Sequence, residues 1–323
     1  MVAIILLLLI RSVISLELLS YHAEGGQPEA PLVASTMLCG RQGLSGSCVV
    51  KNLASSEVMD PKHIKGGISK YDISGMTKLR FLYRYLVDKV KTRKEGAEDI
   101  IFLDGSDVVY AGCGLETIEK QSQRQGDFSP VLRHLQAQLD RVRNSTRGDI
   151  VLGAEFNPYQ VQGKAKAVSP WARHQCPYLN TQSMFPGEHY RFINSGFVGG
   201  QAKVLLPVVR DTIKILGKNK QLGDQGAYQI WLNTHNGTRG GVDFCASLVL
   251  NMARPHQQAV ADSYLRVRLQ EGTPPRISWR KTDTGDGREQ QGDLCFIHFN
   301  GWSKKNSAVF QNIKQRYHLA ATE

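Results

Sequence analysis

The chain has 323 residues, of which 41% are hydrophobic and 21% charged, a mixture usual for folded globular proteins. This composition excludes collagen-like, coiled-coil and wholly disordered chains, and the length suits one large domain or two small ones. The formal net charge of +11 favours anionic ligands, but the basic residues are scattered along the chain, so no nucleic-acid partner is predicted.

The N-terminus begins with an unbroken apolar run, Val2 to Ile10, and a weaker apolar stretch continues from Ser12 to Ser20. The run is shorter than the roughly 20 apolar residues of a membrane span, and its length fits the core of a secretory leader. We therefore expect a signal peptide over residues 1–23 that is cleaved near Ala23. An uncleaved membrane anchor and a buried N-terminal strand are the alternatives, and membrane contact is expected only for the anchor.

Cysteines and glycosylation sequons agree with a secretory compartment. The six cysteines form no C-x-x-C pair, which leaves disulfides or buried thiols as the options. Cys39 and Cys48 flank a turn rich in Gly and Ser, and they are the first pair we expect to be bonded. Sequons begin at Asn144 and Asn236 in polar stretches. These features predict the endoplasmic reticulum or Golgi lumen, or secretion.

Strands and helices alternate along the rest of the chain. Apolar residues recur at three- and four-residue spacing within each predicted helix, and short apolar runs mark the strands. Strands are predicted at 31–38, 49–53, 100–103, 108–111, 149–154, 190–198, 242–250 and 294–299. Helices are predicted at 77–94, 129–144, 203–216, 224–233 and 307–317. This order predicts one α/β domain over 31–318 with a largely parallel sheet, whose ligands lie at the carboxyl ends of its strands.

Two carboxylates follow the apolar strand at 100–103. Asp104 and Asp107 lie three residues apart, and the Gly and Ser between them permit a tight turn. A hard divalent cation such as Mg²⁺ or Mn²⁺ takes oxygen ligands and often completes its shell with substrate phosphates. The pattern therefore predicts a cation site at the end of this strand, and a solvated acidic turn is the alternative.

Four later segments, at 149–155, 191–199, 223–228 and 297–304, accompany this turn. They include the sequences R-F-I-N-S-G-F, D-Q and H-F-N-G-W-S-K. Together with the acidic turn, they resemble the glycosyltransferase domain of the procollagen lysyl hydroxylases over roughly residues 76–304. The resemblance implies a GT-A (Rossmann-like) fold with a mixed, mostly parallel central sheet. The resemblance covers the glycosyltransferase domain alone. We therefore expect no hydroxylase module and do not predict lysyl hydroxylation.

The same resemblance implies a metal-dependent transfer reaction. A hexose would move from UDP-glucose or UDP-galactose to a hydroxyl of a protein or of a protein-linked sugar. The acceptor of the family is hydroxylysine or galactosyl-hydroxylysine in collagen-like sequences. The expected partners are therefore a UDP-hexose donor and a protein or glycoprotein acceptor.

The resemblance also implies metal and donor ligands. Asp104, Asp107 and His298 match the family's metal ligands, and two carboxylates with an imidazole suit Mn²⁺. Lys304 matches a lysine beside the donor diphosphate, and Gly301 would let the backbone approach that diphosphate.

Other cofactor-binding residues follow from the same match. Asn194, Ser195 and Gly196 correspond to the block that lines the sugar side of the cleft. Lys78 and Glu155 also align to the cleft, although an exposed helix lysine is the alternative for Lys78.

Asp224 is the expected catalytic residue, acting as a base toward the acceptor, and a helix N-cap is the alternative for it. The chain departs from the family pattern at two positions. Gly223 replaces the acid that precedes Asp224 in the family, and Phe299 replaces a glycine after the histidine. These departures leave a weaker or different acceptor chemistry open, and they are the only support for the alternative of a non-catalytic GT-A relative.

A phosphohydrolase of the haloacid-dehalogenase type is a further alternative. Such enzymes also place aspartates after an apolar strand, but two residues apart, whereas Asp104 and Asp107 are three apart.

Overall fold

The structure is a computed structural model. It describes part of the chain, and all the helices and strands given below lie in that part. The described segments are residues 16–21, 50–53, 76–92, 98–105, 107–125, 127–155, 192–218, 222–235, 240–252, 265–268, 276–281, 290–300 and 306–316.

The described segments form an α/β arrangement. The strands are β1 (Leu16–Tyr21), β2 (Val50–Asn52), β3 (Asp99–Asp104), β4 (Val108–Tyr110), β5 (Ile150–Glu155), β6 (Phe192–Gln201), β7 (Gly240–Asp243), β8 (Val249–Asn251), β9 (Leu265–Arg268), β10 (Arg276–Lys281), β11 (Gln290–Asp293) and β12 (Phe296–His298). The helices are α1 (Met76–Thr92), α2 (Glu116–Gln125), α3 (Ser129–Thr146), α4 (Ala202–Lys218), α5 (Asp224–Thr234) and α6 (Ala308–Arg316).

Six strands form the central sheet, in the order β2-β1-β3-β6-β5-β7. The pairs β1–β2, β1–β3 and β5–β7 are parallel, whereas β6 is antiparallel to both β3 and β5. The predicted mixed, mostly parallel central sheet is thus confirmed. The remaining strands form two three-stranded sheets, β4-β12-β8 and β11-β10-β9.

Alternating side chains of β3 divide the core into two apolar clusters. Ile100 and Phe102 pack with α1, α4 and α5, whereas Ile101 and Leu103 belong to the cluster that α3 covers. Successive side chains of a strand point to opposite faces, so a strand with helices on both sides must be apolar throughout. The sheet therefore holds its strand ends rigidly between two helical layers.

Strand β1 corrects the predicted leader boundary. Leu16, Leu18 and Leu19 are almost fully buried, and β1 pairs with β2 on one side and with β3 on the other. Cleavage near Ala23 would remove this strand from the sheet, so that boundary is wrong, and the domain begins before residue 31. The apolar run at 2–10 lies outside the described residues, and its role as a signal peptide or anchor stays a prediction.

Several other elements differ from the sequence prediction. The strand predicted at 242–250 is two strands, β7 and β8. Asp243 makes the turn between them, because its carboxylate accepts hydrogen bonds from the backbone of Ser247, Leu248 and Val249. Helix α2 and the sheet of β9, β10 and β11 were not predicted. The strand predicted at 31–38 lies outside the described residues.

A disulfide bond joins Cys113, after β4, to Cys295, just before β12. It links two segments that lie 182 residues apart in the sequence. The predicted Cys39–Cys48 pair lies outside the described residues. Asn144 of the first sequon is exposed in the last turn of α3 rather than in a loop, and the second sequon lies outside the described residues.

In the segments that the structure describes, no helix has the length and apolar character needed to cross a membrane.

Truncation tests the position of β1. We expect a chain that starts at Arg11 to unfold cooperatively on heating, as followed by circular dichroism. A chain that starts at Glu24 should not, because it lacks the strand between β2 and β3. Equal melting temperatures for the two chains would contradict this assignment.

Candidate metal centre

Polar side chains from four strands meet at one edge of the sheets. Asp104 ends β3, Glu155 ends β5, and His298 ends β12. Strand β6 runs in the opposite direction, so Asn194, near its beginning, reaches the same edge. This edge is the carboxyl end of the parallel strands, where α/β sheets place their ligands.

The three predicted metal ligands lie together at this edge. His298 Nε2 is 3.3 Å from Asp107 Oδ1 and 3.9 Å from Asp104 Oδ2. One donor atom from each of the three residues lies within 4.8 Å of the other two. His298 is 3% exposed, and the backbone N–H of Phe299 donates to the Asp107 carbonyl at 2.8 Å, which ties the acidic turn to β12. Two carboxylates and an imidazole that converge in this way fit a divalent cation such as Mn²⁺.

The pKa values within this cluster show how strongly its members interact. Burial raises the pKa of Asp104, and the neighbouring Asp107 raises it further, although Lys78 opposes the change. Burial lowers the pKa of His298, but the facing carboxylates of Asp107 and Asp104 more than reverse this, so the pKa is raised overall. Negative charge is therefore crowded here, which favours the binding of a cation.

A second group of potential ligands does not form a metal site. Cys113, His134 and Cys295 lie close together, but the two cysteines are bonded to each other as a disulfide. A disulfide offers no thiolate to a metal.

An irregularity in β6 shapes the floor of the site. The pairing of β5 with β6 shifts between Leu152 and Gly153, so that Leu152 pairs with Val198 and Gly153 with Asn194. Such bulges redirect side chains and are common beside active sites. Here the bulge contains Ser195 and Gly196, two of the predicted cofactor-binding residues.

Gly196 makes room for His298. A Cβ atom at Gly196 would overlap Cε1 and Nδ1 of the His298 imidazole. The absence of a side chain at this position therefore allows the His298 imidazole to lie against the backbone. This contact gives Gly196 a role in placing His298, and a contact with the donor stays a prediction.

Lys78 joins Asp104, a predicted metal ligand, to Asp224, the predicted catalytic residue. Its ammonium lies 2.6 Å from Asp104 Oδ1, 2.5 Å from Asp224 Oδ2 and 3.3 Å from the Ser195 carbonyl oxygen. The three partners match the three N–H donors of an ammonium group. Lys78 is thus a buried part of the site rather than an exposed helix lysine.

The same ion pairs set the charge of Lys78 and Asp224. Burial lowers the pKa of Lys78, but Asp104 and Asp224 raise it well above its ordinary value overall. Burial raises the pKa of Asp224, yet Lys78 and a hydrogen bond from Ser195 bring it below its usual range. Asp224 is therefore ionised at neutral pH. It also lies in the first turn of α5, where the helix dipole favours a carboxylate.

Glu155 is held by three side-chain amides. Its Oε2 accepts hydrogen bonds from Asn194 Nδ2 at 2.8 Å, Gln225 Nε2 at 3.1 Å and Asn300 Nδ2 at 3.2 Å. Burial raises the pKa of Glu155, and the amide of Asn194 and the charge of His298 partly offset the effect. Glu155 therefore orients the three amide side chains around it. The sequence predicted only that it lies beside the cleft.

The structure describes both positions at which the chain departs from the family pattern. Phe299 is fully buried, and its ring stacks on Phe310 of α6 with 4.8 Å between the centroids. Its side chain belongs to the core and does not occupy the metal centre. Gly223 precedes α5 as its N-cap and contributes no side chain that caps the helix.

Two predicted residues, Gly301 and Lys304, lie outside the described residues. Their predicted contact with a diphosphate stays a prediction.

Sequence reasoning missed Asn251, Gln225 and Asn300 as members of the site. Asn251 closes the short strand β8, and its Oδ1 is 2.8 Å from His298 Nδ1. Gln225 directly follows Asp224, and Asn300 lies two positions after His298. This closeness to predicted site residues was the signal that could have identified them. Nothing in the sequence near Asn251 indicates its contact with a residue 47 positions later.

Comparison with known proteins adds no identification. No protein-family model matches the chain, and no curated protein matches it either.

Replacing Lys78 tests its role between the two carboxylates. We expect Lys78→Met to lower the free energy of unfolding by about 3–5 kcal/mol, because it leaves buried charges without their partner. Urea denaturation followed by tryptophan fluorescence measures the change.

The double variant Lys78→Met/Asp224→Asn should recover part of the loss, since it removes one of the two repelling carboxylates. Lys91→Met, at an exposed lysine of the same helix, is the matched control. A Lys78→Met protein as stable as this control would contradict the interpretation.

Proposed function

We propose that the chain is a metal-dependent glycosyltransferase of the GT-A type. It transfers a hexose from UDP-glucose or UDP-galactose to a hydroxyl group of a protein or of a protein-linked sugar. On the resemblance of its motifs, we assign it to the glycosyltransferases of the procollagen lysyl hydroxylase family. Hydroxylysine or galactosyl-hydroxylysine in collagen-like sequences is the corresponding acceptor.

The convergence of Asp104, Asp107 and His298 at the strand ends carries this proposal. Residues from the acidic turn and from β12, nearly 200 positions apart, present their donor atoms to one point. Asp224 and Glu155 add two more carboxylates near this centre. Among the described residues, the ammonium of Lys78 lies between Asp104 and Asp224. A divalent cation would balance the excess of negative charge and attract a diphosphate.

The residues of the chain divide the work of the proposed reaction. Asp104, Asp107 and His298 would hold Mn²⁺, which when bound acts as a Lewis acid toward the departing diphosphate. Lys304 would add a positive charge on the diphosphate side, and Gly301 would let the backbone approach it.

Asp224 acts on the acceptor side. Because its pKa is lowered, it is a weak proton acceptor but a permanent negative charge. It therefore suits the task of accepting a hydrogen bond from the acceptor hydroxyl and of stabilising positive charge on the reacting sugar. Lys78 fixes its position, and Ser195 donates a further hydrogen bond to it.

The buried position of Phe299 also supports an active enzyme over a non-catalytic relative. Its side chain packs on Phe310, so this departure from the family pattern leaves the centre itself open.

The disulfide and the exposed sequon support a secretory location. Disulfides form and persist mainly in oxidising compartments, and Cys113–Cys295 is such a bond. Asn144 is exposed, as an N-glycan requires. We propose the lumen of the endoplasmic reticulum or Golgi, or secretion, as the location.

Calorimetric titration with UDP tests the proposed function. We expect the wild-type protein to bind UDP in the presence of Mn²⁺ and to bind it much more weakly after the metal is removed with a chelator. The double variant Asp104→Ala/Asp107→Ala should lose the metal-dependent part of the binding, because it lacks both carboxylate ligands.

The control is Asp88→Ala/Asp149→Ala, which removes two exposed carboxylates outside the site. It should bind UDP as the wild-type protein does. Absence of UDP binding with every divalent metal would contradict the proposed function. Metal-dependent binding that persists in Asp104→Ala/Asp107→Ala would contradict the assignment of the ligands.

A further inference from the structure

Two asparagine side chains contact His298 at Nδ1, the ring nitrogen that does not face the carboxylates. Its Nδ1 lies 2.9 Å from Asn194 Oδ1 and 2.8 Å from Asn251 Oδ1. Both distances are those of hydrogen bonds. Amide oxygens only accept, so the group between them must be a donor, and Nδ1 must carry a hydrogen.

Other contacts fix the orientation of both amides. Asn194 Nδ2 donates to Glu155 Oε2 at 2.8 Å, and Asn194 Oδ1 also accepts the backbone N–H of Gly196 at 2.7 Å. Asn251 Nδ2 donates to the Ala154 carbonyl at 2.8 Å. Rotating either amide by half a turn would set donor against donor or acceptor against acceptor at these contacts. The two oxygens therefore face His298 for reasons independent of the histidine.

The backbone holds Asn251 and His298 beside each other. They are paired residues in the parallel register of β8 and β12, and the backbone N–H of Met252 donates to the His298 carbonyl at 2.9 Å. Gly196 lies against the edge of the ring, where a larger residue would overlap it. The imidazole is thus confined in both position and rotation.

We propose that Asn251 and Asn194 together form a clamp that keeps a hydrogen on Nδ1 of His298 and directs Nε2 at Asp104 and Asp107, so that Nε2 is the nitrogen that binds a cation. Asn251 is accordingly a positioning residue of the cation site. The proposal rests on the proposed function in one respect, since Nε2 serves a metal.

The clamp has a clear chemical purpose. The proton on one imidazole nitrogen is set by the hydrogen bond that this nitrogen makes, and a metal binds the other nitrogen. Nε2 is the nitrogen that faces both carboxylates. With Nδ1–H already fixed, His298 requires no rotation to act as a ligand, and only a hydrogen on Nε2 has to leave.

Nitrogen NMR of histidine-labelled protein tests the clamp directly. We expect the wild-type spectrum of His298 to show a protonated Nδ1 both before and after addition of Cd²⁺, a diamagnetic substitute for Mn²⁺. In the Cd²⁺ form, coupling between the metal and nitrogen should identify Nε2 as the bound atom. The variant His298→Gln assigns the signal among the nine histidines. Metal bound through Nδ1 would overturn the proposal.

Variants of Asn251 test its role as a positioning residue. Asn251→Leu has a similar volume but no acceptor, and we expect it to lose the Nδ1–H signature and to bind Mn²⁺ about 10–100-fold more weakly. Electron paramagnetic resonance of free Mn²⁺ measures this affinity. Asn251→Asp keeps an acceptor oxygen, and we expect it to keep the Nδ1–H signature and to bind Mn²⁺ more tightly than Asn251→Leu.

Thr212→Val is the matched control for the loss of a buried hydrogen bond. The Thr212 hydroxyl donates to the Val208 carbonyl within α4, away from the metal centre. This variant should keep both the tautomer and the Mn²⁺ affinity of the wild-type protein. If it weakened Mn²⁺ binding as much as Asn251→Leu does, the effect would be one of general stability and the proposal would be overturned.

The outcomes separate this inference from the proposed function. A wild-type protein that shows Nδ1–H but binds no Mn²⁺ would support the clamp and contradict the proposed function. A wild-type protein that binds Mn²⁺ and an Asn251→Leu variant that binds it equally well, with the same tautomer, would overturn the clamp alone. If Asn251→Leu fails to fold, the wild-type spectra and Asn251→Asp decide the question.

Discussion

Lys78 lies between Asp104 and Asp224, and its ammonium holds together two carboxylates that would otherwise repel each other at the end of the sheet. Asp104 is a proposed metal ligand and Asp224 is proposed to act toward the acceptor, so the Lys78 ammonium connects the two halves of the candidate site. It reaches both because α1 begins beside the carboxyl ends of the strands. Local charge balance therefore depends on a residue from a different part of the chain than either carboxylate.

The site around this ion pair is organised by neutral amides as much as by charges. Asn194 contacts both Glu155 and His298, and Asn251 contacts His298 from the neighbouring strand. Buried polar groups are costly unless they are hydrogen-bonded. Here the two amides are hydrogen-bonded to Glu155, to His298 and to the Ala154 carbonyl. A network of this kind would keep the proposed metal ligands in one geometry before a metal binds, which would reduce the reorganisation that binding requires.

The alternation of apolar strands and helices predicted an α/β domain, and the acidic turn predicted a cation site at Asp104 and Asp107. The mixed sheet and the addition of His298 to that site were implied by the resemblance of short motifs to a known family. The sequence could not reveal Asn251, whose importance comes from the pairing of β8 with β12. It also misplaced residues 16–21, since an apolar N-terminal segment reads as a leader until its pairing partners are known. Long-range pairing is the information that local patterns lack, and it decided each of these points.

Anomalous diffraction at the manganese absorption edge, from crystals grown with Mn²⁺, tests the metal centre most directly. The account predicts one anomalous peak within ligand distance of Asp104, Asp107 and His298, with His298 bound through Nε2. A manganese peak only at another position, or an ordered site with no peak among these three side chains, would contradict it.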